Sequence, residues 1–294
     1  MPELPDVVVY VERLRALLGG ATLTRVRIGN PFVLRTVEPA LAEVEGKKIH
    51  TLERIGKRIV LCLEDELFLV VHLMIAGRFR WRAPDAGIPK ANGLAAFDFD
   101  AGTLILIEAG RKRRASLHVV RGRDALQEFN RGGLEGLRAS LVSFCDALLR
   151  ENHTLKRALT DQSVLSGIGN AYSDEILLRA KLSPFKQTRS LSDEELAALF
   201  NATCAILEEW TAHLRSEVGD GFPEKVTAFR EGMAVHGRFR KPCPVCGAPV
   251  QRIVYAHNEC NYCARCQTGG KLLADRALSR LLKKNWPRRI EDIE

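Results

Sequence analysis

The chain has 294 residues, long enough for two domains and a small extra module. It carries 44 Lys+Arg against 36 Asp+Glu, a formal charge of +8, with 46% hydrophobic residues to build packed cores. No run of 18 apolar residues and no leader-like start occur, which excludes a membrane span and predicts a soluble, cytoplasmic protein. The basic excess suits a polyanionic partner, nucleic acid first among them, although an ordinary basic cytosolic protein has the same balance.

The chain opens Met1-Pro2-Glu3-Leu4-Pro5-Asp6. Removal of Met1 would leave Pro2 as a terminal secondary amine. An α-amino group titrates near ~8, so part of it is neutral and nucleophilic at physiological pH. Glu3 beside it is a candidate acid. Read by itself, the stretch equally marks the first turn of a helix, with Pro5 inside it. From Asp6 the spacing of Val7, Val11, Leu14 and Leu18 predicts a helix that Gly19-Gly20 ends. Strand-like segments follow: TLTRVRI, KIHTLERI, RIVLCLE, ELFLVVHL, GRFRW, AAFDFD, TLILIEA and ASLHVV. They are short, closely spaced and mostly hairpin-connected, which predicts an antiparallel sandwich or barrel. Two basic turns interrupt them. Arg54-Ile55-Gly56-Lys57-Arg58 is one; Gly110-Arg111-Lys112-Arg113-Arg114 is the other, read either as a solvated hairpin tip or as a phosphate contact.

Around Gly132-Gly133 the apolar alternation stops, and a linker is expected. Helices are predicted over Leu141–Leu149 and from Thr154 to Thr160, the latter carrying Lys156 and Arg157. Gly167-Ile168-Gly169-Asn170 precedes the helical AYSDEILLRAKL. A tight turn there would present free N–H groups to a phosphate, with Asn170 as a further donor; a plain loop is the alternative. Ser192 to Leu214 reads as a long amphipathic helix with a capping box at Ser192 and Glu195 and a buried stripe of Leu196, Leu199, Phe200, Leu207, Trp210 and Leu214.

Near the end, Cys243 and Cys246 form one Cys-x-x-Cys pair, and Cys263 and Cys266 another, with 16 residues between the pairs. Two such knuckles joined by a hairpin supply four thiolates to one tetrahedral ion, so one structural Zn2+ is expected, with no open position for a substrate. A redox pair is the alternative. Val250 to Ala256 reads as a strand. Cys260 is expected to be a spectator; Cys62, Cys145 and Cys204 lie in apolar stretches and read as buried free thiols of a reducing compartment. A last helix is expected over Leu272–Trp286, with Leu273, Ala277, Leu281 and Leu282 on its apolar face and Lys283, Lys284, Arg288 and Arg289 at its end.

Pro2-Glu3 at the start, Gly167-Ile168-Gly169-Asn170 in the middle and a four-cysteine hairpin at the end, in that order, resemble the formamidopyrimidine-DNA glycosylase / endonuclease VIII family. PELPDV is similar to its N-terminal motif, LKRALTDQSVLSGIGNAYSDEIL to its helix–two-turn–helix element, and VHGRFRKPCPVCG to the entry of its finger. The resemblance covers roughly residues 2 to 267. It implies an α+β multidomain fold: an N-terminal antiparallel β-sandwich with a flanking helix (1–130), a helical helix–two-turn–helix domain (131–240) and a C-terminal β-hairpin zinc finger (241–268); the tail beyond, longer than the finger requires, is expected to be a helical extension (269–294). It implies a monomeric base-excision enzyme that acts on double-stranded DNA with a damaged base or abasic site. Pro2 would form the imine and Glu3 would open the sugar, before β,δ-elimination. Lys57, Lys156 and Asn170 would serve phosphate and lesion, and Glu175 would orient its neighbours.

The chain departs from the family in its recognition parts. Ile75, next to Met74, stands where the family carries a methionine that fills the hole left by the flipped base. Lys112, Arg113 and Arg114 replace an Arg-Arg-Phe loop, and Asn258 replaces the finger's phosphate-clamping arginine. Asp6 replaces a glutamate, and Arg215–Val226 is short for a lesion-covering loop. The expectation is a working glycosylase/lyase with a shifted lesion preference. Two alternatives belong to other classes. One is a non-catalytic zinc-containing DNA-binding protein; the other is an RNA-binding module.

Overall fold

The structure, a computed structural model, describes residues 1–110, 112–224, 226–227, 229–255, 258–274, 280–281 and 287–293, with only the backbone of Tyr255 and Asn258. It divides into two compact units. The first comprises Met1–Arg131 with Trp210–Ala228, the second Gly132–Glu209 with Phe229–Glu294.

In the first unit, helix α1 spans Leu4–Leu18, two residues earlier than its apolar spacing suggests. Pro5 lies in its first turn, where the missing N–H has no partner to lose. The Asp6 carboxylate accepts a 2.8 Å hydrogen bond from the Glu3 N–H and caps the helix start. Val7, Tyr10, Val11, Leu14 and Leu18 recur every three or four residues and all are buried.

The strands form two antiparallel sheets. One has the order β1 (Thr22–Leu23), β3 (Lys47–Ile55), β4 (Arg58–Leu63), β5 (Leu67–His72), β9 (Ser116–Arg121). The other runs β2 (Arg25–Ile28), β7 (Gly93–Phe99), β8 (Gly102–Glu108), β6 (Gly77–Arg82). Every expected strand is present, but TLTRVRI is divided between the sheets. The break falls at Thr24, whose N–H and Oγ1 both donate to the Asp98 carbonyl at 2.9 Å. The β8–β9 connection also passes from one sheet to the other, so the described part of the basic run, 110 and 112–114, lies in a crossover and not at a hairpin tip. Between the sheets Leu52, Leu61, Leu69, Phe79, Phe97 and Leu117 are fully buried. Each such side chain contributes roughly 1.5–3 kcal/mol by leaving water.

Strands β4 and β5 are apolar on both faces because the outer face is covered too. Val60, Cys62, Phe68 and Val70 pack there against Leu126 of α2 (Arg123–Gln127) and against Phe129. This short helix was not expected from the sequence.

In the second unit, α3 (Leu141–Leu149), α4 (Leu155–Thr160) and α5 (Asn170–Arg179) occupy the expected segments. Short strands β10 (Leu134–Glu135) and β11 (Leu165–Ser166) pair in parallel. Helix α6 covers Asp193–Val218, four residues beyond the expected end, so part of the expected 215–226 loop is helical. Its capping box is formed: Ser192 N donates to Glu195 Oε2 at 2.9 Å, and Glu195 N to Ser192 Oγ at 3.3 Å. From Trp210 onward α6 belongs to the first unit, where Arg215 makes a two-pronged contact with Glu12 at 2.6 and 2.8 Å. Phe222 and Val226, beyond the helix, pack into the sandwich core.

The finger consists of the antiparallel pair β12 (Gln251–Tyr255) and β13 (Asn258–Tyr262), then α7 (Ala264–Thr268). Behind it the chain turns at Gly269 and Gly270, and Lys271 bridges Arg289. Leu272 and Ile290 are buried beside Tyr262 and Cys263, tied by Leu272 N to Arg288 O and Ile290 N to Gly270 O, both 2.8 Å. Most of the expected last helix, including Ala277, Leu282, Lys283 and Lys284, lies outside the described residues; Leu281 is helical and exposed.

Candidate active site and metal centre

In the first unit, α1 and the β3–β4 turn bring charged residues to the start of the chain. Pro2 is buried, Glu3 is 2% exposed and Lys57 7%. The turn is two residues long, between the paired Ile55 and Arg58, and Gly56 takes φ +57°. That conformation favours glycine and sets Lys57 at the hairpin end. The terminal ammonium on Met1 is pushed below its ordinary pKa, first by burial. The Glu3 and Asp6 carboxylates oppose this, while the Lys57 and Arg78 cations reinforce it. Arg78, on β6, was not singled out from the sequence, where it reads as one of the two cations of GRFRW.

His72, at the end of β5, is pushed down to about 4 by burial and then by Arg58, Lys57 and Arg131. It is therefore neutral at physiological pH. The following Leu73–Gly77 turn is closed by Gly77 N to Leu73 O at 2.8 Å, and a Cβ at Gly77 would meet that oxygen at 2.2 Å. The turn presents Ile75 at 59% exposure, while Met74 is half-buried with φ +53°. Lys112, Arg113 and Arg114 are exposed, and Arg113 Nη2 donates to Ala91 O at 2.6 Å. Arg111 lies outside the described residues. The crossover is fixed from below by buried Glu108, which accepts from the N–H groups of Arg114 and Ala115 at 2.7 and 2.9 Å.

In the second unit, the Gly167–Asn170 turn leads straight into α5, with Gly169 at its N-cap. Gly167 takes φ +85°. Gln162 clamps the turn from its other side: Nε2 donates to Ile168 O at 2.7 Å, and Oε1 accepts from Gly167 N at 2.9 Å. Asn170 is half-buried.

Lys156, expected to reach DNA, is instead enclosed at 3% exposure. Its Nζ donates to Asn170 O at 2.7 Å, Ser173 Oγ at 2.8 Å and Asp174 Oδ1 at 2.5 Å. Three donors on three acceptors occupy the whole ammonium. Asp174 is fully buried, and its Oδ2 meets His236 Nδ1 at 2.8 Å, Asn261 N at 3.1 Å and Asn261 Nδ2 at 3.2 Å. Burial acts to raise the Asp174 pKa, but the Lys156 ammonium and the His236 contact hold it below the usual carboxylate range. Glu175 accepts from the N–H groups of Ala234, Val235 and His236 at 2.7, 3.0 and 2.9 Å, so it orients the segment that enters the finger. Burial pushes its carboxyl up, against those bonds.

The four finger cysteines place their Sγ atoms within 4.8 Å of one another. Tetrahedral Zn–S bonds of ~2.3 Å put sulfurs about 3.8 Å apart, so the donor set fits such an ion. Cys260 is buried on β13 outside this cluster, its thiol pushed well up by burial and by Asp174. Cys62 is buried, while Cys145 and Cys204 are only half-buried; none is in a disulfide. The side chain of Asn258 is outside the described residues, and its backbone pairs with Tyr255. Among the described residues no helix is long and apolar enough to cross a membrane.

The pattern that defines the formamidopyrimidine-DNA glycosylase N-terminal domain matches residues 1–115, and that of the same enzyme's H2TH domain matches 135–217. A formamidopyrimidine-DNA glycosylase of Thermus thermophilus is 36% identical over 281 residues, covering 92% of this chain and all of the relative. The chain belongs to the formamidopyrimidine-DNA glycosylase family. A formamidopyrimidine-DNA glycosylase-like protein of Mycobacterium tuberculosis is 43% identical over 151 residues, 51% of this chain and 94% of that protein. Among solved structures, the MutM (Fpg) protein of Thermus thermophilus aligns with TM-score 0.75 at 33% identity, over 90% of this chain and 98% of that one. Lactococcus lactis Fpg in complex with DNA containing an abasic site aligns with TM-score 0.80 at 25% identity, over 90% and 99%. The sandwich and the H2TH helices thus carry the glycosylase fold end to end.

Proposed function

We propose that this chain excises damaged bases from double-stranded DNA through a terminal-amine imine and then cleaves the strand. Family membership makes it a DNA glycosylase of base excision repair; the residue roles are our reading. Once Met1 is removed, the Pro2 nitrogen attacks the sugar C1′, and the C1′–base bond breaks with its electron pair leaving on the base. Glu3 gives a proton to the ring oxygen as the sugar opens to the imine. The imine acidifies the C2′ proton; its loss expels the 3′ phosphate, and a second elimination expels the 5′ phosphate. Lys57 and Asn170 hold phosphates, with the α5 N-terminus adding its dipole. Ile75 enters the space vacated by the flipped nucleotide, and the exposed Arg113 contacts the duplex beside it. Asn258 supplies a hydrogen bond at the finger. The four cysteines hold Zn2+, which supplies folding energy and no chemistry. The protein acts as a monomer in the cytoplasm.

The observation that carries this reading is the buried start of the chain, where Pro2 lies with Glu3 and Lys57 and where burial, reinforced by Lys57 and Arg78, pushes the terminal ammonium on Met1 below its ordinary pKa. A binding protein has no use for such a group. Borohydride reduction of protein starting at Pro2, mixed with an abasic duplex, should give a covalent band. Residues added before Pro2 should reduce it by roughly 10³-fold or more, the scale of losing a nucleophile, while salt-sensitive DNA binding persists. Tight binding with no band would favour the non-catalytic reading.

A further inference from the structure

We propose that Asp174 is a positioning residue that couples the metal finger to the phosphate-binding turn, so that the state of the finger sets how tightly the turn holds DNA. This rests on the phosphate role proposed for Asn170. The two oxygens of Asp174 face different elements. Oδ1 takes Lys156, whose other donors go to Asn170 O and Ser173 Oγ, all within the first turns of α5. Ser173 Oγ donates in turn to Gly169 O at 2.6 Å, at the turn itself. Oδ2 takes both donors of Asn261, which lies on β13 two residues before Cys263, and also His236. Asn261, His236, Ser173, Lys156 and Asp174 are all buried.

This arrangement does more than glue helices together. Apolar side chains of similar volume fill such a space at no worse stability, so a buried ion pair needs another reason. Here the ammonium is fixed against the α5 N-terminus, the end of the helix dipole that already carries positive partial charge. In a low-dielectric setting a cation there raises the potential felt by a phosphate without touching it. Asp174 offsets that charge, and the offset depends on how much of the carboxylate is satisfied by Asn261 and His236. If β13 loosens, the Asn261 donors withdraw and the carboxylate is left to Lys156 and His236. The turn then loses both its geometry and its potential. Lys156 thereby serves DNA through Asn170 without contacting it.

The test uses the full-length, metal-loaded protein with Asn261→Leu, which removes the Nδ2 donor, leaves the backbone N–H and keeps the bulk. Ser173→Ala cuts the same path on the turn side and leaves the finger untouched. Metal content is read by thiol-displacement release, turn dynamics by amide exchange over residues 168–171, and affinity on a duplex with a reduced abasic site. We expect metal to be retained, exchange at the turn to rise about tenfold and Kd to weaken about tenfold. Trapping at saturating DNA should be unchanged, and the two substitutions should combine non-additively. Retained metal with unchanged exchange and Kd in both variants would overturn the coupling. If Asn261→Leu fails to fold, Ser173→Ala decides by the same readouts. Wild-type protein that does not bind the duplex would instead sink the phosphate reading itself.

Discussion

In the first unit Glu3 and Lys57 stand at the rim of an apolar core, whereas in the second Asn170 rests on buried charges. The sandwich fixes its helix and hairpin through many side chains such as Leu69, Phe79 and Phe97, each making small, non-directional contacts. Around α5 the work falls to Lys156, Asp174 and Glu175, whose bonds have fixed lengths and directions. A core of the first kind adjusts to a changed neighbour. A network of the second kind fails as a whole, because one missing partner leaves a buried charge uncompensated. The two units therefore differ in what they tolerate.

The largest effect should come from the metal. Stripping the finger with a chelator withdraws on the order of 10 kcal/mol of binding energy. Amide protection over residues 241–273 should collapse, as read by hydrogen exchange; protection that survives would mean Leu272 and Ile290 hold the finger unaided. Next, Phe79→Ala should cost about 3–5 kcal/mol in urea unfolding. The contrast sharpens with conservative changes. Leu69→Met should cost less than about 1.5 kcal/mol, whereas Glu175→Gln places an amide NH2 against backbone donors and should cost about 1–3 kcal/mol. Equal costs would erase the distinction between the units.

A smaller effect concerns pH. His72 takes a proton near ~6.5 in the unfolded chain but only at about 4 in the native one. Between those values the unfolded state binds more protons, so stability is full above pH ~6.5 and falls as pH drops toward 4. His72→Gln should flatten that slope in urea midpoints measured across the window. The smallest change in stability should follow Ile75→Ala, within about 0.5 kcal/mol since the side chain is exposed. Excision from duplex should nonetheless slow about tenfold, with trapping on single-stranded abasic DNA unaffected. Equal slowing on both would remove Ile75 from the vacated space.

The strands were legible because each is a short alternating or wholly apolar run bounded by turn residues, and the metal cluster because Cys-x-x-Cys spacing is itself geometric. The division of TLTRVRI at Thr24 shows in the sequence only as a slip of one residue, since Leu23 and Val26 are three apart where strict alternation needs two. Asp174 was the hardest to read, and Glu175 was named through the family resemblance alone. Adjacent acids in a helical pattern look like a solvated face, and their burial comes from Lys156, His236 and Asn261, distant in sequence. Lys156 beside Arg157 likewise reads as a surface cation; only the fold encloses one and exposes the other.

The early start of α1 also bears on the timing of entropy loss. Chain termini ordinarily fray, and a mobile nucleophile would have to be ordered afresh at each encounter. Here Leu4 and Val7 are buried in full and Asp6 ties back to the Glu3 N–H, so the first residues are immobilised when the protein folds. In the mechanism proposed above, the freedom that the reacting amine must surrender is given up once, long before any DNA arrives, and the amine then acts at a high effective concentration on whatever sugar is delivered to it.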